Sequence, residues 1–363
     1  MRTQIEALEA SRLDVPLRRA FGIAGGTQEV ARNVLVSLTL ADGTRGYGEA
    51  APFPAFNGET QEATLAAIGA ANAVVLGADV RRWRSLAIEI SRCIGAYGAA
   101  RCGIEMAILD ALTRQAGMSL QAFFGGAGLA LVTDVTIPTG SSEEAAHEAR
   151  GWAEQGFSRL KIKVGGSPLG EDLDRIEAVH RAAPRAALLL DGNGGFPSSD
   201  AVRLVRQLEA RGITPLLFEQ PVARDDWEGL AEVGRATGLP IVADESASSA
   251  KDALRVAQTR VAQIVNVKPM KAGFVEAMDI AAIARAAGLR LMIGGMVEAK
   301  MAMTASACFA AGLGGFDFVD LDTPLFLSHD PFDGGYVQEG ERLDLTPVAT
   351  GSAGHGVTPK RDR

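Results

Sequence analysis

Leu160-Lys161-Ile162-Lys163-Val164 alternates apolar and charged side chains, so on a β-strand the two ammonium groups share one face and the aliphatic set the other. A half-exposed strand with two solvated lysines satisfies that pattern, and so does a strand whose lysines enter a cavity. Downstream, polar groups recur where short apolar runs end: Asp191, Glu219, Asp244, Lys268, and the pair Asp320 and Asp322 around Leu321. Each alone could be a helix cap or a surface charge. Carboxylates of Asp191, Glu219 and Asp244 gathered at one place would repel and could not all stay ionised without a cation. An all-oxygen set without His or Cys selects a hard divalent ion, Mg²⁺ first, with positions left open for water or substrate.

Two lysines aimed at one carbon from opposite sides can take a proton from one face and return it to the other, which inverts a stereocentre. Lys163 and Lys268 are the candidates. A free lysine titrates at about 10.4, so the acting base is expected to be depressed by the metal and by neighbouring Lys161. Lys161 could instead stabilise a developing oxyanion beside the metal. The spacing of two puts Asp320 and Asp322 on one face, where they would pair with a cation. Thr136 is a candidate hydrogen-bond donor to the substrate, and Phe53, Phe56 and Met296 are candidates to line a side-chain pocket. No histidine falls at a strand end: His147 and His180 lie in helical stretches, and His329 and His355 come later.

For these residues to meet, the elements must be arranged in a ring. Apolar runs occur at 133–137, 159–164, 187–190, 215–218, 240–243, 263–267, 290–293 and 316–319, separated by alanine-rich helical stretches. Strand alternating with helix predicts a parallel sheet, and apolar strands predict that both faces are covered. Eight such runs favour a closed (β/α)₈-like barrel over an open sheet, with functional groups at the C-terminal strand ends. Strands two and six of such a ring stand opposite each other, which would set Lys163 against Lys268. No GxGxxG opens a helix after the first strand.

Residues 1–125 follow another rhythm and read as an α+β capping domain. Asn33–Leu40 and Arg45–Glu49 are predicted strands joined by a turn at 41–44, and Gly98–Gln115 an amphipathic helix. The barrel is expected over 126–324, with a C-terminal tail, 325–363, returning to the capping domain and carrying a hairpin at 334–345. The loops 21–27 and 55–60 would close over the substrate. The chain has 363 residues, 47% hydrophobic and 22% charged, with a net charge of −8, so it presents no basic footprint for nucleic acid or an anionic membrane. Cys93, Cys102 and Cys308 lack CxxC spacing, and the charged first twenty residues are unlike a signal peptide. No uncharged run reaches membrane-spanning length, and a cytoplasmic location is expected.

On Lys161-Ile162-Lys163, the trio Asp191, Glu219 and Asp244, and Lys268, the chain resembles the enolase superfamily, in its muconate-lactonizing-enzyme-like subgroup. Gly48-Glu49-Ala50-Ala51-Pro52 is similar to the capping domain of that group. The resemblance implies a (β/α)₇β TIM-like barrel with an α+β cap, and a Mg²⁺-bound carboxylate whose α-proton passes to a lysine through an enediolate. The subgroup holds cycloisomerases, o-succinylbenzoate synthases, N-acylamino acid racemases and dipeptide epimerases. Asp320-Leu321-Asp322 followed by Thr323-Pro324 resembles the dipeptide epimerases, where it holds the substrate α-ammonium. Epimerases of Ala-Glu carry an arginine in the loop after the first capping strand, but here that stretch reads Ile23-Ala24-Gly25-Gly26-Thr27. With Gly25 there, an acidic side chain would be left unpaired, which implies a neutral, apolar residue at the inverted carbon of an L,L-dipeptide. Gly192 and Gly194 stand around Asn193 where many relatives have Ala and Gln. The resemblance extends to a small-molecule dipeptide partner and, as relatives commonly associate, a homo-oligomer; a non-catalytic binding barrel is the opposing reading.

Overall fold

The computed structural model describes residues 2–23 and 26–360, so Gly25 lies outside the described residues. Three antiparallel strands open the chain: β1 (Ile5–Ile23), β2 (Gly26–Leu40) and β3 (Arg45–Ala50). Strand β2 begins seven residues before the predicted Asn33 start. Helices Gln61–Val75 and Gly98–Gln115 pack on this sheet, and Trp83–Ile94 packs on those two helices. The helix Gly98–Gln115 was expected to be amphipathic and is instead buried on nearly all sides, Glu105 and Asp110 included. It is enclosed because β3 presses on one side of it and the short helix Pro269–Ala272 of the barrel on the other. Gly46 and Gly48 allow that approach, since a Cβ on either would run into the backbone of Ala107 or Gly103.

After β4 (Ala130–Val132) come eight parallel strands: β5 (Val135–Ile137), β6 (Arg159–Lys163), β7 (Ala187–Asp191), β8 (Leu217–Glu219), β9 (Ile241–Ala243), β10 (Ile264–Val267), β11 (Arg290–Ile293) and β12 (Phe318–Val319). They pair in chain order, and the Asp134 N–H donates to the Val319 carbonyl at 2.9 Å, tying the first strand's edge to the last. Helices fill each interval from Ser142–Glu154 to Lys300–Leu313, and directly after β12 a 3₁₀ turn, Thr323–Phe326, stands in place of an eighth barrel helix. The architecture is therefore (β/α)₇β.

Period-two alternation explains the interior. Leu189, Leu217, Val242, Ile264, Met292 and Phe318 form their own cluster, a dry floor inside the ring. Each buried side chain of that kind contributes roughly 1.5–3 kcal/mol. Two residues further along the same strands stand Asp191, Glu219, Asp244, Asn266, Gly294 and Asp320. The polar groups are thus the next inward layer above that floor. The alternate residues, such as Ile162, Leu190 and Val265, join the larger core under the helices.

The tail divides its attachments. β14 (Val337–Glu339) and β15 (Arg342–Asp344), following the short β13 (Phe332–Gly334), form the expected hairpin, but β15 pairs with β4 and not with the capping sheet. Further on, the His355 N–H donates to Asp110 Oδ1 at 2.9 Å, so this part does reach the capping helix.

Two capping-domain carboxylates cross to the barrel. Glu49 accepts from the Ala299 and Ala302 N–H groups at 2.7 and 3.0 Å. Glu105 accepts from the Val275 N–H at 2.9 Å. Neither the helix 300–313 nor the helix 274–286 has a cap from its own flanking side chain, so these glutamates take the orphan donors and meet the positive helix ends. Asn33 holds Glu49 at 2.7 Å and donates also to the Val297 carbonyl at 3.0 Å.

Candidate active site

At the C-terminal mouth of the barrel the lysines and carboxylates close on one another. Lys161 is 1% exposed, with its Nζ 2.6 Å from Asp320, 2.7 Å from Glu219 and 3.3 Å from Asp191. Lys163 donates to Asp191 Oδ2 at 2.6 Å. Across the ring, Lys268 donates to Asp244 Oδ2 at 2.6 Å. Strands β6 and β10 are separated by three others in the pairing order, so Lys163 and Lys268 stand on opposing walls, and both line one pocket with Asn193, Asp320 and Asp322.

The opposed charges set the ionisation of the site. Burial works against the Lys161 ammonium, but Asp320, Glu219 and Asp191 outweigh it and hold its pKa well above the ordinary value. Lys268 is likewise raised, its burial overcome by Asp244 and Glu219. Carboxylates by themselves thus raise Lys268, so the expected depression would have to come from a bound cation. Burial resists ionisation of Asp244 and Asp191 too, yet Lys268 and Lys163 respectively keep both carboxyls below the usual range. Glu219 goes the other way, lifted by burial and by Asp191 to about 7.

Asp191, Glu219 and Asp244 fit a divalent cation by chemistry: hard oxygens, fully buried, on consecutive strands. Glu219 Oε2 makes no properly directed hydrogen bond despite its approach to Lys161, which leaves a buried lone pair free for an ion. Their oxygens pair with four lysines, Lys161, Lys163, Lys268 and Lys271. Among the described residues, the acidic group whose oxygens do come within 4.8 Å of one another is a different one, Asp134, Asp320 and Asp322.

Two members of that second cluster, Asp320 and Asp322, line the same pocket. Asp322 accepts from the Thr136 N–H at 2.6 Å, and burial with neighbouring Asp320 lifts its pKa to about 7. Thr136 lines the pocket. Asp134 is buried with neither oxygen hydrogen-bonded, and was not picked out from the sequence, although it precedes Thr136 by two and so shares its face. Lys271 was also passed over. Its Nζ lies 2.9 Å from Asp244 Oδ1 and donates to three carbonyls, those of Asp244, Ala247 and Asn266. The spacing Lys268-Pro269-Met270-Lys271, one helical turn, was the available signal. Asn266, which donates to Glu219 at 2.6 Å, had none beyond its place on β10.

The apolar candidates Phe53, Phe56 and Met296 all line the same pocket. Phe56 belongs to the short helix Pro54–Asn57 inside the predicted loop, and its ring lies 5.7 Å from Lys268 Nζ.

Residues 7–125 match the family described as mandelate racemase/muconate lactonizing enzyme, N-terminal domain, and residues 144–363 match the enolase C-terminal domain-like family. The chain belongs to the enolase superfamily. Within it, the chain is 50% identical to the aromatic dipeptide epimerase of Herpetosiphon aurantiacus, over 98% of this chain and 99% of that one. It is 39% identical to the hydrophobic dipeptide epimerase of Citrifermentans bemidjiense, over 98% of each. The dipeptide epimerase of Enterococcus faecalis, solved with Mg and L-Leu-L-Tyr, superposes with a TM-score of 0.93 at 31% identity, covering 98% of this chain and 99% of that one. This superfamily member thus shares fold and length with the dipeptide epimerases.

Proposed function

We propose that the protein is a Mg²⁺-dependent dipeptide epimerase that inverts the α-carbon of the C-terminal residue of an L,L-dipeptide, with an apolar side chain at that position. The observation that carries this reading is the pair Lys163 and Lys268, on opposing walls of a pocket that Asp320 and Asp322 also line. Asp191, Glu219 and Asp244 would hold Mg²⁺, which supplies an electrophile for the substrate carboxylate and lowers the acidity barrier at the neighbouring carbon. One lysine removes the α-proton and the other returns a proton to the opposite face. Lys161 faces the charge that develops on the carboxylate. Asp320 and Asp322 bind the α-ammonium, and Thr136 the peptide group.

The apolar preference rests on Phe53, Phe56 and Met296 in the pocket lining, and on the similarity to epimerases of aromatic and hydrophobic dipeptides. Residues 1–125 with 325–363 act as the cap that selects the side chain, and 126–324 as the catalytic barrel. The same reading gives a cytoplasmic, self-associating enzyme of free dipeptides, with neither nucleic acid nor membrane as partner. No helix among the described residues is long and apolar enough to cross a membrane.

The test is a panel of L,L-dipeptides in D₂O with Mg²⁺, followed by NMR. Deuterium should enter the C-terminal α-position with inversion, fastest for apolar and aromatic residues. Silence across the panel, or activity on N-acyl amino acids that survives Asp320→Asn and Asp322→Asn, would overturn it.

A further inference from the structure

Behind β6, on the helix Leu169–Ala182, sit two charged residues that the reaction does not use: Asp172 and Arg175, 0% and 1% exposed. They pair with each other, and the rest of their hydrogen bonds go to backbone. Arg175 donates to the Lys163 carbonyl at 2.7 Å and to the Gly140 carbonyl at 3.5 Å. Asp172 accepts from the Gly165 N–H at 2.8 Å. Between them, the Val164 N–H donates to the Asp191 carbonyl at 2.9 Å. The backbone leaving β6 is therefore fastened at three successive residues. Gly165, at φ +86°, turns the chain away directly beyond them. Nothing equivalent holds the Lys268 carbonyl, which accepts only the local Lys271 N–H among the described residues.

We propose that the Arg175–Asp172 pair is a positioning device for one of the two bases, Lys163, and not for the other. Lys163 is the last residue of its strand, and its peptide is held on one side by the Val164 N–H bond to Asp191 and on the other by Arg175 at the carbonyl. A rotation of that peptide swings the Cα–Cβ bond and displaces the ammonium from the carbon it must reach. A displacement of about 1 Å at a reacting group can cost on the order of 100-fold in rate. A buried ion pair is costly to assemble, and this one spends its hydrogen bonds on the backbone of residues 163 and 165.

The inference rests on the two-lysine reading, and that dependence supplies its test. In a two-base enzyme each lysine takes the α-proton of one epimer, so exchange into D₂O reports each base separately. L-Ala-L-Phe and L-Ala-D-Phe, with Mg²⁺, are the probes, and Lys163→Ala identifies the epimer that Lys163 serves. Arg175→Lys should slow exchange from that epimer by about 10-fold or more, leave exchange from the other within about twofold, and leave KM little changed. Asp172→Asn, which keeps an acceptor for Gly165 and the side-chain shape, should show the same asymmetry more weakly, and decides the matter should Arg175→Lys not fold. Equal loss from both epimers, or no loss from either, overturns the proposal while leaving the epimerase intact. A wild-type enzyme that exchanges neither epimer overturns the epimerase reading and this proposal together.

Discussion

The two lysine-bearing walls of the pocket are built on different plans. On the β6 wall, Lys163 has the single carboxylate Asp191 as partner, and its peptide is held from behind by a buried arginine. On the β10 wall, Lys268 shares Asp244 with a second buried cation, Lys271, and an aromatic ring from the cap lies over it. Arg175 holds the main chain of the first lysine directly, whereas Lys271 reaches the β10 main chain two residues before Lys268, at the Asn266 carbonyl. The barrel supplies a lysine on each wall, and among the described residues a ring of the N-terminal domain, Phe56, lies over Lys268.

The sharpest way to break that comparison is to remove each base. Lys163→Ala and Lys268→Ala should each lower epimerisation by about 1,000-fold or more, while each retains α-deuterium exchange from one epimer. The retained epimers should be opposite; the same epimer surviving in both variants would place the lysines on one wall. Next in size, Asp244→Asn should abolish Mg²⁺ binding measured by calorimetry, and activity with it. Asp320→Asn should leave metal affinity within about threefold and raise KM by about 10–100-fold, the worth of a charge-assisted hydrogen bond. Metal binding lost on Asp320→Asn would move the ion to the Asp134 cluster. Smaller still, Phe56→Ala should cut kcat/KM for aromatic dipeptides about 10-fold relative to L-Ala-L-Ala, read from competing substrates in one tube.

A separate effect concerns stability. Burial lifts the Glu105 carboxyl from 4.5 to about 7. A raised folded-state pKa means that the folded chain binds the extra proton, so its contribution is complete below about pH 4.5 and is lost as pH climbs to about 7. Glu105→Gln keeps the acceptor for Val275 and should flatten that decline by on the order of 2–3 kcal/mol, as read from urea melts at pH 5 and pH 8. An unchanged pH slope would mean that the carboxyl stays ionised throughout.

Much of the site was legible because a strand has period two. An apolar residue followed two places later by Asp191, Glu219 or Asp244 marks the inward face and its open end together, and one residue more or less at a strand boundary does not alter it. Lys161 and Lys163 were legible for the same reason. What escaped has no local period. Asp172 and Arg175 lie in Glu171-Asp172-Leu173-Asp174-Arg175, which reads as a solvated helix face, and only the bend after β6 turns two of its charges inward. The long β1, studded with Arg12, Arg18 and Arg19, carries too many charges to announce a strand. Gly98–Gln115 looked two-sided because sequence cannot tell that sheet and barrel press it from both flanks. The hairpin at 337–344 was visible, but its partner β4, some two hundred residues earlier, was not.

Glu49 and Glu105 carry a consequence for how such proteins diversify. Since the barrel's helices 274–286 and 300–313 take their N-terminal acceptors from the other domain, neither part is complete when cut free, and the two should melt in one transition. A cap transplanted from a relative to change substrate choice must bring both carboxylates in register, or the recipient barrel will fray beside its own binding loop. Swapping is therefore constrained at the seam, while the loops above it stay free to vary.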